Sequence, residues 1–212
     1  LFASGAVDAL YFALPTRVAA TQIYERVCHY VERVFPDPGS RPHALLAVPG
    51  YVRVDDVPID GILPPELAVD QDRGDAAREH LWAAERPKRF LGATIAVGTV
   101  DQALLSAIQV RHAHLRSVCL DRSLLVVDEV HASDPYMRCL LKGLLEHHVG
   151  IGGHALLLSA TLGARLRCDL TSTRLPPLAE CCREPYPALT DRSGTPQAVP
   201  SAGTPRTKNV RV

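Results

Sequence analysis

The sequence SLLVVDEVHASDP, residues 123–135, is the most informative segment of this 212-residue chain. Its apolar run, residues 124–127, is followed at once by two adjacent carboxylates, Asp128 and Glu129. A short apolar run that ends in charged residues is typical of a buried strand. Asp134 then precedes a proline, the order that favours a helix start as N-cap and first helical residue. The segment therefore predicts a strand, an acidic turn and a helix.

Three further apolar runs predict strands: residues 10–14, 93–97 and 155–158. Residues 18–35 carry apolar side chains at helical spacing and predict a long helix after the first strand. Asp101 is predicted to cap a second helix, and Asp134 a third that turns Leu140, Leu141, Leu144 and Leu145 toward the core. Strands alternating with amphipathic helices predict a mainly parallel sheet covered on both faces, a three-layer α/β fold.

Two regions depart from this alternation. Residues 49–75 are rich in Pro, Asp and Gly and predict an insertion, which a short helix within residues 76–88 would extend to about residue 90. Seven of the 17 prolines fall after residue 171, which predicts an extended linker there. The expected organisation is one domain over residues 1–170 and a linker over residues 171–212.

The amino-acid composition limits the class of protein but does not indicate a binding partner. The 23 basic side chains balance the 23 acidic ones, so any nucleic-acid binding must come from local groups. The six cysteines form no CxxC pair, which favours reduced thiols in a cytoplasmic protein. The apolar runs are too short to span a bilayer, so no membrane association is expected.

The adjacent carboxylates suggest phosphoryl-transfer chemistry. In such ATPases one Asp holds the Mg²⁺ ion that bridges the nucleotide phosphates, and a neighbouring acid orients or deprotonates the attacking water. Asp128 is accordingly predicted to bind magnesium and Glu129 to act on the water, with ATP and Mg²⁺ as cofactors. On this pair alone an alternative stays open: two strand-end acids that cap the next helix or face solvent.

The order of motifs strengthens the ATPase interpretation. His131 completes the sequence DEVH, and LLLSAT follows at residues 156–161 after one intervening helix. This arrangement resembles motifs II and III of superfamily 2 helicases of the DEAH-like type. The resemblance implies a first RecA-like motor domain, in which His131, Ser159 and Thr161 couple the nucleotide state to the nucleic-acid site.

The ends of the first two strands resemble nucleic-acid motifs of the same helicases, namely ALPTR at residues 13–17 and VGTVDQALLSAI at residues 97–108. The resemblance implies that four side chains near these ends hold the phosphates of a single strand. They are Thr16, Arg17, Thr99 and Gln102. Structural interpretations stay equally open, with Thr16 as a helix cap and Asp101 as the cap of its own helix.

A narrower resemblance covers residues 97–137, including the segment HAHLR at residues 112–116. This run resembles the CRISPR-associated helicase-nuclease of type I systems, and ALPTRVAATQIYERV (residues 13–27) and EPYPALT (residues 184–190) point the same way. Ser133 departs from the aromatic residue usual in that family. The resemblance implies ATP-driven translocation on single-stranded DNA, with recruitment by an RNA-guided surveillance complex.

The phosphate-binding string Gly-x-x-x-x-Gly-Lys-Ser/Thr does not occur in these 212 residues, and GATIAVGT at residues 92–99 lacks the lysine. We expect that loop upstream of Leu1, in a parent protein that also carries the second motor domain. Without it the isolated chain is expected to bind ATP weakly and not to hydrolyse it.

Three other interpretations stay open at this stage. One is a DEAH-like DNA or RNA helicase outside CRISPR defence, which the HAHLR segment disfavours. Another is a truncated nucleic-acid-binding module without ATPase activity, which the missing loop supports. The third is a metal site at His112 with His114 or at His147 with His148, which the spacing to the cysteines disfavours.

Overall fold

Strand β1, Ala9–Leu14, begins the regular structure of the described residues, which in this computed structural model are 1, 4–39, 41–48, 51–54, 57–59, 87–132 and 134–200. The chain divides into two compact units, Leu1–Thr161 and Leu162–Val212. The division lies about nine residues before the boundary that the sequence predicts.

Six further strands of the first unit's described residues join β1 in one sheet. They are β2 Ala44–Val48, β3 Tyr51–Val54, β4 Val57–Ile59, β5 Ile95–Thr99, β6 Ser123–Val127 and β7 His154–Leu157. The strand order is β4-β3-β2-β5-β1-β6-β7, in which β2, β5, β1, β6 and β7 run parallel, whereas β3 and β4 pair antiparallel at one edge. The predicted α/β class with a mainly parallel sheet is confirmed.

Four helices of the first unit accompany this sheet within the described ranges: α1 Arg17–Val34, α2 Val100–Leu104, α3 Ala113–Leu120 and α4 Pro135–Gly150. Helix α1 packs on β2 and β5 through a core that includes Ala20, Tyr24 and Val31. The Tyr24 hydroxyl donates to the carbonyl oxygen of Ala44 at 3.3 Å, so its polar end is satisfied inside that core. No helix among the residues described is both long and apolar enough to cross a bilayer.

Two of the three residues predicted to cap a helix are N-caps in the structure. Asp134 accepts a hydrogen bond from the Met137 amide at 2.8 Å, and Thr16 accepts one from the Ala19 amide at 3.1 Å. The prediction for Asp101 is wrong, because Thr99 is the N-cap of α2 and Asp101 lies inside the first turn. A carboxylate there still interacts favourably with the positive end of the helix.

The region assigned to an insertion contributes partly to the sheet. Residues 51–54 and 57–59 form the antiparallel hairpin β3–β4, which extends the sheet beyond β2. Strand β2 itself is absent from the sequence prediction, although all five of its residues are buried. A 3-10 helix occupies Pro87–Gly92, whereas most of the helix predicted within residues 76–88 lies outside the described residues, as does Ser133.

The second unit is not an extended chain in its described part. It contains α5 Ala164–Thr171, α6 Leu178–Cys181 and a two-stranded ribbon of β8 Ala188–Thr190 with β9 Pro196–Ala198. The buried Arg167 pairs with Glu184 and donates to the carbonyl oxygen of Gly194, which ties the helix to both sides of the ribbon. An ordered structure after residue 171 corrects the prediction of an extended linker. A connection toward a second motor domain stays a prediction.

Candidate functional site

Four parallel strands place the predicted site residues along one edge of the sheet. In the strand register Leu14 of β1 lies beside Thr99 of β5, and Val127 of β6 lies between Ala13 and Leu157. The residues that follow these positions therefore emerge side by side. Ligands of open α/β sheets bind at this carboxyl edge.

The acid pair is held by backbone and side-chain hydrogen bonds. The Asp128 amide donates to the carbonyl oxygen of Ala13 at 2.9 Å, which continues the β1–β6 ladder by one residue. Oδ1 of Asp128 accepts from the Glu129 amide at 2.9 Å. Glu129 itself has a φ of +54°, a left-handed conformation that costs a residue with a side chain about 1–2 kcal/mol. Such strain persists where the surrounding structure imposes it, often at functional sites.

His131 joins the acidic turn to the end of β7. Its Nδ1 lies 2.8 Å from Oγ of Ser159 and 3.2 Å from Oε2 of Glu129. The Glu129 oxygen is buried and makes no hydrogen bond to the described residues, although 42% of its side chain is exposed. The structure therefore brings together three predicted residues, with one carboxylate oxygen left to accept a further donor.

Backbone contacts reinforce this connection. The Leu158 amide donates to Val127 at 2.8 Å, and the Val130 amide donates back to Leu158 at 3.2 Å. Oγ of Ser159 also accepts from the Thr161 amide at 3.3 Å. The residues that follow β6 and β7 are thus joined to each other by hydrogen bonds.

Thr99 is anchored by a residue that the sequence analysis did not single out. The buried Tyr11 hydroxyl donates to the Thr99 carbonyl oxygen at 3.0 Å, and burial raises the Tyr11 pKa above its usual range. Gly98 permits this approach, since a Cβ there would lie 2.5 Å from the hydroxyl oxygen. The glycine in the sequence VGT was the available signal, because a strand glycine often marks a close approach.

Gln102 also has a partner that sequence reasoning missed. Nη1 of Arg116 donates to Oε1 of Gln102 at 3.2 Å, and both side chains are buried. Arg116 is the last residue of the HAHLR segment, for which the sequence alone suggested no structural role. By contrast, Thr16 and Arg17 are exposed after β1, where Thr16 caps α1. The nucleic-acid roles of these residues stay predictions.

The histidines considered as metal ligands have other contacts. Nε2 of His147 lies 3.2 Å from the Ser117 hydroxyl oxygen, and the buried His148 lies 3.1 Å from the His154 carbonyl oxygen. Among the residues that the structure describes, no group of three or more His, Cys, Asp and Glu side chains could hold a metal ion.

Comparisons with known proteins place this chain in a family. No protein-family model matches the chain. Over 167 residues it is 32% identical to the CRISPR-associated endonuclease/helicase Cas3 of Escherichia coli (strain K12), and over 159 residues it is 34% identical to that of Thermus thermophilus. The chain is homologous to the Cas3 helicase-nucleases. The matches cover 78% and 72% of the chain, but only 18% and 16% of the two Cas3 proteins.

Solved Cas3 structures share the fold. The crystal structure of T. fusca Cas3-ATP covers 95% of the chain at 29% identity, with a TM-score of 0.62. A chain in the structure of a CRISPR RNA-guided surveillance complex before nicking covers 94% of this chain at 25% identity, with a TM-score of 0.54. The matched parts are 23% and 20% of those chains. The resemblance to this family and the RecA-like fold are thereby confirmed.

Proposed function

We propose that this chain forms the acid-bearing part of a nucleotide-hydrolysing motor, within an ATP-dependent helicase that unwinds invader DNA in type I CRISPR defence. The observation that carries the proposal is the contact of His131 with both Glu129 and Ser159, at 3.2 and 2.8 Å. It joins the predicted hydrolytic acid to the predicted coupling strand. Homology to the endonuclease/helicase Cas3 supports the assignment to a helicase.

The residues at the sheet edge fit a magnesium-bound nucleotide. Asp128 offers carboxylate oxygens, the ligand type that Mg²⁺ prefers, and Mg²⁺ usually needs only one or two protein carboxylates beside nucleotide phosphates. The buried, unbonded Oε2 of Glu129 is an acceptor in need of a donor, such as a water molecule. Structures of T. fusca Cas3 with AMPPNP, ADP and ATP support nucleotide binding here. Bound at Asp128, the ion would neutralise charge on the phosphates.

Glu129 is proposed to orient the attacking water and accept its proton. The left-handed backbone at Glu129 shows that the chain leaves the extended strand conformation at this residue. Nδ1 of His131 is hydrogen bonded to Ser159 and lies 3.2 Å from Oε2 of Glu129, so a shift of the Glu129 carboxylate changes the surroundings of the ring that contacts Ser159. We infer that this is how the nucleotide state reaches Ser159 and Thr161.

We propose that the motor translocates along single-stranded DNA and that an RNA-guided surveillance complex recruits it. The similarity to a chain in a surveillance-complex structure supports this recruitment. All six cysteines lie in the described residues and none forms a disulfide, which suits the proposed cytoplasmic location.

The test is ATP hydrolysis stimulated by single-stranded DNA, measured on the protein at its full encoded length. Glu129→Gln keeps the size of the side chain but removes its base, and we expect it to lower the rate at least about 100-fold. Glu146→Gln, an exposed acid on α4, is the matched control and should leave the rate unchanged. Hydrolysis that survives Glu129→Gln would show that the assigned role is wrong, and DNA binding without hydrolysis would favour a nucleotide-independent binding module.

A further inference from the structure

Arg116 occupies an unusual place for an arginine. It lies on α3 with only 8% of its surface exposed, and its guanidinium meets the side chain of Gln102 on α2. Burial lowers the pKa of Arg116 below its usual range. Because an arginine guanidinium does not deprotonate in proteins, the group stays charged. A charge-assisted hydrogen bond of this kind is stronger than one between neutral groups.

The contact determines which end of the Gln102 amide is available. A carboxamide has an accepting oxygen and a donating nitrogen on opposite sides. Since Arg116 has no acceptor to offer, it selects the oxygen and excludes the flipped amide. The described residues provide no acceptor for the nitrogen. The two N–H groups of Gln102 are therefore available to an acceptor from outside the chain.

The neighbouring backbone is held in the same way. Tyr11 reaches the Thr99 carbonyl oxygen at 3.0 Å from β1, so two buried side chains from other elements fix the start of α2. Asp101 lies between the two anchored residues and is exposed. Its carboxylate can only accept hydrogen bonds, so a bound anion at this place needs a donor, which Gln102 can supply.

We propose that Arg116 is a positioning residue, which holds Oε1 of Gln102 so that the side-chain nitrogen of Gln102 donates to a phosphate oxygen of a bound nucleic-acid strand. The inference rests on the nucleic-acid binding included in the proposed function. It assigns Arg116 no direct contact with the strand. The planar guanidinium suits this task because its donors have a fixed geometry.

The experiment measures the affinity of the full-length protein for a fluorescein-labelled oligothymidylate by fluorescence anisotropy. Gln102→Glu keeps an oxygen for Arg116 and removes both N–H donors, so thermal stability should be unchanged or raised. Affinity should fall about tenfold or more, the equivalent of one lost charge-assisted bond. Gln109→Glu adds the same charge at an exposed position nearby and should change affinity less than about twofold.

A second pair of variants tests the positioning step. Gln102→Ala should cost about fivefold in affinity in the unaltered background, and less than about twofold after Arg116→Met, because the amide is then no longer held. Compared with Arg116→Met, Arg116→Lys should regain part of the affinity for the oligothymidylate, because lysine supplies a charged donor but lacks the fixed geometry of the guanidinium.

Equal affinities of Gln102→Glu and Gln109→Glu would overturn the proposed donor, and independent, multiplicative effects of Gln102→Ala and Arg116→Met would overturn the positioning role. A full-length protein that binds no oligothymidylate would also overturn the inference. The proposed hydrolysis is judged separately by Glu129→Gln, so the two failures are distinguishable.

Discussion

Replacing Gly98 by alanine is expected to destabilise the sheet beneath the site. The added Cβ would lie 2.5 Å from the Tyr11 hydroxyl oxygen and 2.7 Å from the carbonyl oxygen of Ala47. Both separations are too short for a methyl group, so at least one neighbour must move. Tyr11 is fully buried within the sheet, and Ala47 belongs to the central part of β2.

The expected loss follows from these contacts. Overpacking a buried position by one methyl group costs about 1–3 kcal/mol. A displaced Tyr11 hydroxyl also breaks its 3.0 Å bond to the Thr99 carbonyl oxygen, and leaving a buried polar group unbonded costs about 1–3 kcal/mol. Together these losses predict that Gly98→Ala lowers the free energy of unfolding by roughly 3 kcal/mol.

Urea unfolding followed by far-ultraviolet circular dichroism measures this loss, provided that the dependence on urea concentration is the same for all variants. Gly143→Ala is the matched control, because it lies inside α4 with open space around it and should stabilise the protein by about 1 kcal/mol. Tyr11→Phe removes the nearer obstacle, so Gly98→Ala should cost about 1 kcal/mol less in that background. A loss under about 1 kcal/mol, or an equal loss in both backgrounds, would show that contact with Tyr11 does not cause the destabilisation.

Three further outcomes follow from the geometry of the described residues. Glu129→Gly should raise the free energy of unfolding by about 1 kcal/mol in the urea assay, because glycine adopts the φ of +54° without strain; a loss of stability would contradict this. Asp134→Ala should lower the free energy of unfolding by about 1 kcal/mol, whereas Asp134→Asn keeps an oxygen for the Met137 amide and should cost little; equal losses would show that the cap is unimportant. Hydrogen bonding by Arg122 lowers the pKa of Asp8 below its ordinary 3.8, so the stabilisation by this pair is present above that pH and is lost as the pH falls through the lowered value. Asp8→Asn should therefore make the melting temperature fall less steeply below about pH 4, and an unchanged slope would contradict the assignment.

The elements that were predicted correctly are those encoded by local pattern. The strand at residues 124–127 ends in charge, and the helix after Asp134 begins with a side-chain oxygen placed before a proline. Both signals act within a few residues, so they can be read without knowing the neighbours. The order of DEVH and LLLSAT is likewise a property of the linear chain, and it was sufficient to indicate the family.

Elements that depend on their neighbours were missed or misplaced. Strand β2 is as buried as the predicted strands, but no periodic helix follows it in the sequence. The hairpin of residues 51–54 and 57–59 lies in a stretch whose Pro, Asp and Gly content suggests a loop, and it joins the sheet by pairing with the edge of β2. Thr99 and not Asp101 is the cap because α2 begins directly after β5, with no loop between the strand and the helix.

The residue types at the site and their order are properties of the linear chain, since an acid pair, a histidine and a serine near strand ends can be recognised without a structure. Which of these residues are in contact depends on the tertiary fold. His131 meets Ser159 across 28 positions, Arg116 meets Gln102 across 14, and Tyr11 meets Thr99 across 88. These contacts depend on the order of strands in the sheet, which places β1 between β5 and β6. That order is set by the packing of the whole core and not by any local stretch.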